Sequence, residues 1–355
     1  MGGKSDGGGS AGQRRLLVVF FEGTSNTLSP ITTQIGLFAS ACVAAPVSVA
    51  SDVKASAAVQ GDALKMSFDG CGVTHGTTGM LFAAGLDSQC DEVAGVVEAM
   101  LERSRDDDGT AESVRVVAVG LSRGGVACCK LALKLAYLHP PERVTISMLL
   151  FDPVAGNALS TGFPYTAAQS QDLTSCDNLV RVLSIYPYEP LPDLAMHAPT
   201  LVAYPSRCHV EEDVTLGCHQ GALFLTSASP SNQYDVASNL SFHRIRDYLR
   251  SEGVKCRFSS SVYAPGVDDC LGMFRKALKS GPLPSIRRAH DKTGKNRRII
   301  ARNEGVECRW LNRHHRALEV ENAGKVPGSS LEVPEDTTMY KLDFEARDIM
   351  CNRCM

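Results

Sequence analysis

The first strongly patterned segment of the chain is Leu16-Leu17-Val18-Val19-Phe20-Phe21, six apolar residues closed by Gly23, Ser25 and Asn26. A short β-prone run bounded by turn formers predicts a strand buried on both faces and a tight loop after it. Leu64 to Phe68 repeats the pattern and ends in Asp69-Gly70-Cys71-Gly72. From Asp87 to Arg103 the apolar positions Val93, Val96, Val97, Met100 and Leu101 fall at helical spacing. Val114 to Val119 then predicts a strand, Val126 to Leu138 a helix stopping before Pro140-Pro141, and Val144 to Phe151 a strand. Leu179 to Ile185 predicts one more strand, and Thr200 to Tyr204 and Val214 to Leu216 are shorter strand candidates. Asp235 to Leu249 carries Val236, Leu240, Ile245 and Leu249 on one stripe and predicts a helix.

Strands alternating with helices imply an α/β fold whose mostly parallel sheet is covered by helices on both faces. Residues 1–14 are rich in Gly and Ser without apolar period and predict a flexible tail. The α/β unit is expected over 15–254, and 255–355 is expected to be a basic C-terminal extension or small subdomain. Arg275 to Arg316 holds thirteen Lys or Arg against three acidic residues. No internal repeat is visible.

The 355 residues, 44% hydrophobic and 21% charged, have the balance of a folded globular chain. A net charge of -3 supplies no global attraction to nucleic acid or anionic membrane, so any such contact must be local. Thirteen scattered cysteines and no leader-like opening predict reduced thiols and a cytoplasmic location, with secretion by a non-classical route left open. No apolar run reaches the ~20 residues of a transmembrane helix. Asp6 spoils a myristoylation signal, and Asn352 holds the place a prenylated cysteine would need.

Gly120-Leu121-Ser122-Arg123-Gly124 fits G-x-S-x-G between a predicted strand and a predicted helix. In that context the pattern is a nucleophile elbow, a strained turn that lifts the serine Oγ above the sheet while flanking small residues let strand and helix pack closely. Ser122 is the expected nucleophile. The backbone N–H of Arg123 is aimed where a tetrahedral oxyanion forms, and the N–H of Gly23 or Thr24 is the expected second donor. A Gly-rich turn by itself would be only a turn; the flanking strand and helix favour chemistry.

A serine hydroxyl needs a histidine base and a carboxylate to orient it. His219 follows Val214-Thr215-Leu216-Gly217-Cys218 and is expected in the loop just past a strand, whereas His139 and His243 fall at the end of or inside helices. Asp152 ends the Ile146 to Phe151 strand and faces the carboxyl-end crevice where open sheets bind ligands, making it the first choice of acid. Asp193 and Glu189, after the next strand, are the alternatives.

These segments resemble the α/β-hydrolase family that includes phospholipase effectors of type VI secretion, many of whose members have no known function. Its F-D-G-T-x-N motif is matched by Phe21-Glu22-Gly23-Thr24-Ser25-Asn26, with Glu for Asp, and its G-x-S-R-G elbow by Gly120 to Gly124. Its W-D-T-V segment is echoed by Phe151-Asp152-Pro153-Val154, and its V-H-S-D-V-G-G only in part by Cys218-His219-Gln220-Gly221-Ala222. The similarity covers residues 15 to 225. It implies a serine esterase of the lipase type acting on an acyl ester or lipid substrate, a phospholipid among them, without cofactor.

Other clusters carry less. Cys351-Asn352-Arg353-Cys354 lacks a second pair, so no metal is expected even with Cys308, His314 and His315 nearby. Asp106-Asp107-Asp108 fits a solvated turn. The basic stretch 275–316 offers peripheral contact with anionic lipid, and with Trp310 its one nearby aromatic it gives little support to base stacking or nucleic-acid binding. The competing reading is a non-catalytic hydrolase-fold scaffold whose basic tail docks a partner.

Overall fold

A computed structural model describes residues 15–55, 63–73, 85–107, 113–154, 170, 172–189, 202–218 and 233–258; for 54–55, 104–107, 186–189, 212–218 and 233–240 the backbone alone is described. Among the described residues seven strands form one sheet: β1 (Arg15–Phe21), β2 (Ala45–Pro46), β3 (Ala63–Phe68), β4 (Val114–Leu121), β5 (Val144–Phe151), β6 (Leu179–Glu189) and β7 (His209–Cys218). Among the described residues these helices accompany them: α1 (Gln34–Ala41), α2 (Ala50–Ala55), α3 (Leu86–Asp107), α4 (Arg123–Leu138) and α5 (Gln233–Ser251). The order across the sheet is β2-β3-β1-β4-β5-β6-β7, and each neighbouring pair is parallel. This is the expected α/β fold, of the α/β-hydrolase-like kind.

Alternation along β1 assigns its side chains to two cores. Leu17, Val19 and Phe21 pack with Val93, Val97 and Met100 of α3 and Val126 and Leu131 of α4. Leu16, Val18 and Phe20 pack with Ile35 and Phe38 of α1 and Phe242, Ile245 and Leu249 of α5. Helices therefore cover both faces, which is why the central strands read as unbroken apolar runs. The buried thiols Cys71, Cys90, Cys128, Cys129 and Cys176 belong to the first core.

The ends of the sheet differ in character. At the end where β4, β6 and β7 begin, Glu252 pairs with Arg115 (3.5 Å) and Arg181 (3.1 Å), and Glu211 with Arg181 (2.8 Å) and Arg244 (3.0 Å). Burial raises the Glu211 pKa, but the Arg181 and Arg244 bonds outweigh it and hold the carboxyl at about 2. Beyond residue 254 the chain still packs on this unit: Val43 N donates to Lys255 O, Arg257 N donates to Ala41 O, and the Phe258 ring lies edge-on to Phe38. The expected tail 1–14, the basic stretch 275–316 and Cys351/Cys354 lie outside the described residues.

Candidate active site

The strand order reverses at β1. From β1 the chain runs outward to β2 and β3, then returns to place β4 on the other side of β1. The connection after β1 leads to α1 on one face, while β4 leads to α4 on the other. Diverging connections open a crevice at the carboxyl ends of the two strands, the usual ligand position in open parallel sheets. Phe21 pairs with Gly120 across that point, so Glu22–Asn26 and Ser122–Arg123 face each other there.

Ser122 has φ 57° and ψ -117°, a conformation that costs an L-residue on the order of 1–3 kcal/mol. The surroundings enforce it. A Cβ on Gly120 would stand 2.2 Å from Gly124 O, and one on Gly124 would stand 2.3 Å from Phe21 O. Ser122 O accepts from Gly125 N (3.0 Å) and Val126 N (3.3 Å), starting α4. A serine at a helix N-cap ordinarily spends its hydroxyl on the helix. Here the side chain makes no such bond, so Oγ is left for other work.

Ser122 is only 3% exposed, a correction to the expectation of an Oγ standing open above the sheet. The segment after β5 folds back against the elbow, where Val154 N donates to Ser122 O at 3.2 Å. Leu121 pairs with Phe151, and Ser122 N donates to Phe151 O at 2.9 Å, so Asp152 emerges beside the elbow. Asp152 is fully buried, has φ 44°, and donates its N–H to Ile185 O at 2.7 Å.

Glu189 lies farther along the sheet. It pairs with Cys218, the last residue of β7, four residues beyond the Ile185 level and thus on the order of 13 Å farther along the strand. His219 and Asp193 lie outside the described residues. His209 begins β7 at the opposite end of the sheet, and His139 caps the far end of α4, roughly 24 Å of helix from Ser122.

The first loop is fastened to the loop after β3. Glu22 N donates to Phe68 O (3.1 Å), Ser25 N to Cys71 O (3.1 Å) and Gly70 N to Asn26 O (2.9 Å). A Cβ on Gly70 would lie 1.7 Å from Gly23 O, so only glycine allows this approach. Gly23 N donates to Glu22 Oε2 at 3.2 Å, so Glu22 competes for the amide expected to serve an oxyanion. At the helix, Arg123 N is a first-turn donor of the kind that has no intrahelical acceptor.

Two charged side chains at this crevice are buried, and neither was anticipated in that role. Glu22 is 2% exposed; its Oε1 accepts from Thr33 Oγ1 at 2.6 Å. Burial, with a smaller push from Asp69, outweighs hydrogen bonds from Thr33, Gly23 and Gly36 and raises its pKa to about 7. Arg123 is 6% exposed; Nη1 donates to Thr24 Oγ1 at 2.5 Å, and burial lowers its pKa. Among the described residues no cluster of His, Cys, Asp and Glu is arranged to hold a metal, and no helix is long and apolar enough to cross a membrane.

Strand order, crevice and strained serine together define a hydrolase-type α/β fold. No protein-family model matches the sequence, and no curated protein matches it. Solved structures resemble it distantly. An uncharacterized protein from Pseudomonas aeruginosa is 11% identical, with a TM-score of 0.49 over 96% of this chain and 60% of its own, so the chain spans 60% of that protein's length. The Tle1 effector bound to the VgrG spike of the type 6 secretion system is 14% identical, with a TM-score of 0.38 over 87% of this chain and 83% of its own. An acetyl xylan esterase is 12% identical, with a TM-score of 0.24 over 68% of this chain and 99% of its own.

Proposed function

We propose that this chain is a serine hydrolase that cleaves an acyl ester through an acyl-enzyme on Ser122. The observation that carries the reading is the Ser122 backbone, held at φ 57° between β4 and α4 with its hydroxyl not used as a cap. Nothing in helix packing alone requires a serine in that conformation; glycine would sit there with less strain. In this reading His219, next in sequence after the end of β7, takes the Oγ proton and returns it to the leaving group.

Asp152, emerging next to the elbow, orients the imidazole; Glu189 and Asp193 are the alternative acids. The N–H of Arg123, with Gly23 or Thr24, stabilises the tetrahedral oxyanion. Membership of the family that includes type VI secretion phospholipase effectors, a lipid substrate, a cytoplasmic location and lipid contact through residues 275–316 belong to the same proposal.

The test is labelling by a fluorescent organophosphonate, which reacts only with an activated serine. Wild type should label and hydrolyse short acyl esters, and Ser122→Ala should do neither, with turnover lower by on the order of a million-fold. A folded Ser122→Ala protein that keeps most of its activity sinks the proposal.

A further inference from the structure

Arg123 is buried at 6% exposure beside the proposed nucleophile, yet it has no carboxylate partner among the described residues. Nη1 donates to the neutral hydroxyl of Thr24 at 2.5 Å, and among the described residues buried Nε has no hydrogen-bond acceptor. The ionisable group felt by the guanidinium is Cys71, whose thiol burial keeps protonated. The nearby acids are engaged elsewhere. Glu22 is held by Thr33 and Gly23, and Asp69 Oδ1 accepts from Leu28 N at 2.7 Å.

An unpaired guanidinium taken out of water is strongly unfavourable, and proteins ordinarily neutralise it with a carboxylate. Arginine stays protonated under such conditions, so it cannot escape by losing its proton. The charge stands on the first residue of α4, the helix whose N-terminus abuts the elbow, and its side chain reaches across the crevice to the loop after β1. An incoming anion supplies the missing counter-charge.

We propose that Arg123 is a specificity-determining residue whose guanidinium takes an anionic oxygen-bearing group of the substrate, a phosphate in the fullest case, carried close to the ester that Ser122 attacks. The substrate class is thus an anionic acyl ester rather than a neutral one. This rests on the serine-hydrolase reading for its catalytic half; the anion site itself does not.

The experiment compares full-length wild type, Arg123→Gln and Arg123→Lys on butyrylglycerol phosphate and uncharged butyrylglycerol. In wild type the charged ester should have the higher kcat/KM. Arg123→Gln should lower the charged-to-neutral ratio about 10- to 100-fold, the size of a lost charge-assisted hydrogen bond, with Arg123→Lys in between. An equal loss on both esters would mean that the guanidinium serves the oxyanion or the fold, and would overturn the proposal.

Thermal unfolding with inorganic phosphate, at ionic strength matched by sodium chloride, tests the anion site without catalysis. Phosphate should raise the wild-type Tm saturably and leave that of Arg123→Gln unmoved, while Arg123→Gln without phosphate should melt no lower than wild type. No saturable rise in wild type, or a clear drop in Tm for Arg123→Gln, overturns the proposal. If phosphate stabilises but Ser122 neither labels nor turns over either ester, the anion site stands and the hydrolase reading falls. Long-chain phosphatidic acid in vesicles separates a lipid headgroup from a soluble phosphoester: faster cleavage in vesicles than of the soluble ester assigns the anion to lipid, and the reverse to a soluble substrate.

Discussion

Thr33 Oγ1 donates to Glu22 Oε1 at 2.6 Å and accepts from Gly36 N at 3.1 Å, so one hydroxyl both caps α1 and ties it to the strand end beside the elbow. Shortening Glu22 to the Asp of the resembling motif would take the carboxylate out of Thr33's reach. A Cβ on Gly36 would lie 2.9 Å from the same Glu22 oxygen, so the helix is seated directly on this carboxyl.

A pH dependence follows from Glu22. Folding raises its pKa from 4.5 to about 7, so the folded chain binds the proton more tightly than the unfolded one. Its contribution to stability is fully present below pH 4.5, declines as pH rises, and is lost above about 7. The span is on the order of 3 kcal/mol. Urea unfolding at the two ends of that window should show the decline in wild type, and Glu22→Gln, which keeps the Thr33 bond, should flatten it. An unchanged slope in the Gln variant would assign the titration to another group.

Glu211 acts in the opposite sense. Its pKa falls from 4.5 to about 2 on folding, so its contribution is present above pH 4.5 and drains away as pH falls toward 2. With the carboxylate partly exposed, about 2 kcal/mol is at stake. Glu211→Gln should lose about that much at neutral pH while approaching wild type in acid. Acid titrations of both proteins followed by circular dichroism check it.

The glycines separate cleanly. Ala at position 120 or 124 would drive a Cβ to 2.2 or 2.3 Å from a carbonyl oxygen held in the β1–β4–α4 junction. Each substitution should cost more than about 4 kcal/mol or abolish folding. Gly95, in the middle of α3 with nothing within 4 Å of its would-be Cβ, should instead gain about 0.5–1 kcal/mol as Ala. Melting curves of the three variants decide the point.

Asp152 tests the acid. Its φ of 44° suits Asn nearly as well as Asp, so Asp152→Asn should fold, whereas Asp152→Ala adds backbone strain. Turnover of Asp152→Asn should drop by about four orders of magnitude, through the wrong imidazole tautomer. If the Asn variant stays active while Glu189→Gln or Asp193→Asn fails, the acid belongs to the strand that follows. The Glu189–Cys218 pairing, next to His219, makes that outcome structurally intelligible. Either outcome leaves the roles proposed for Ser122 and His219 unchanged.

The central sheet was legible because β1, β4 and β5 are apolar on both faces; the Val144 to Phe151 strand has the expected bounds. Helix α4 begins at Arg123 rather than Val126 because its first turn holds Gly124 and Gly125, residues that read as a turn. Helix α1 was missed: QIGLFASA is buried nearly all round, with no polar face to create a period. Strand β7 runs from His209, not Val214, because Glu211-Glu212-Asp213 argues against a strand until Arg181 and Arg244 are seen to take up Glu211. The 2-residue β2 and 6-residue α2 carried too little pattern to register. The elbow serine was visible from its motif. Burial of Glu22 and Arg123 was not, since charged side chains beside a turn are read as solvated unless their surroundings are known.

At Gly70 against Gly23, and at Gly124 against Phe21, main chain meets main chain with no room for a Cβ. These contacts offer evolution almost nothing to vary. Among the described residues, change at the crevice must come from the side chains around it, at Glu22, Thr24, Cys71 and Arg123. A saturation scan would draw this as a narrow band of intolerance at the glycines, bordered by positions that trade one preference for another without disturbing the frame.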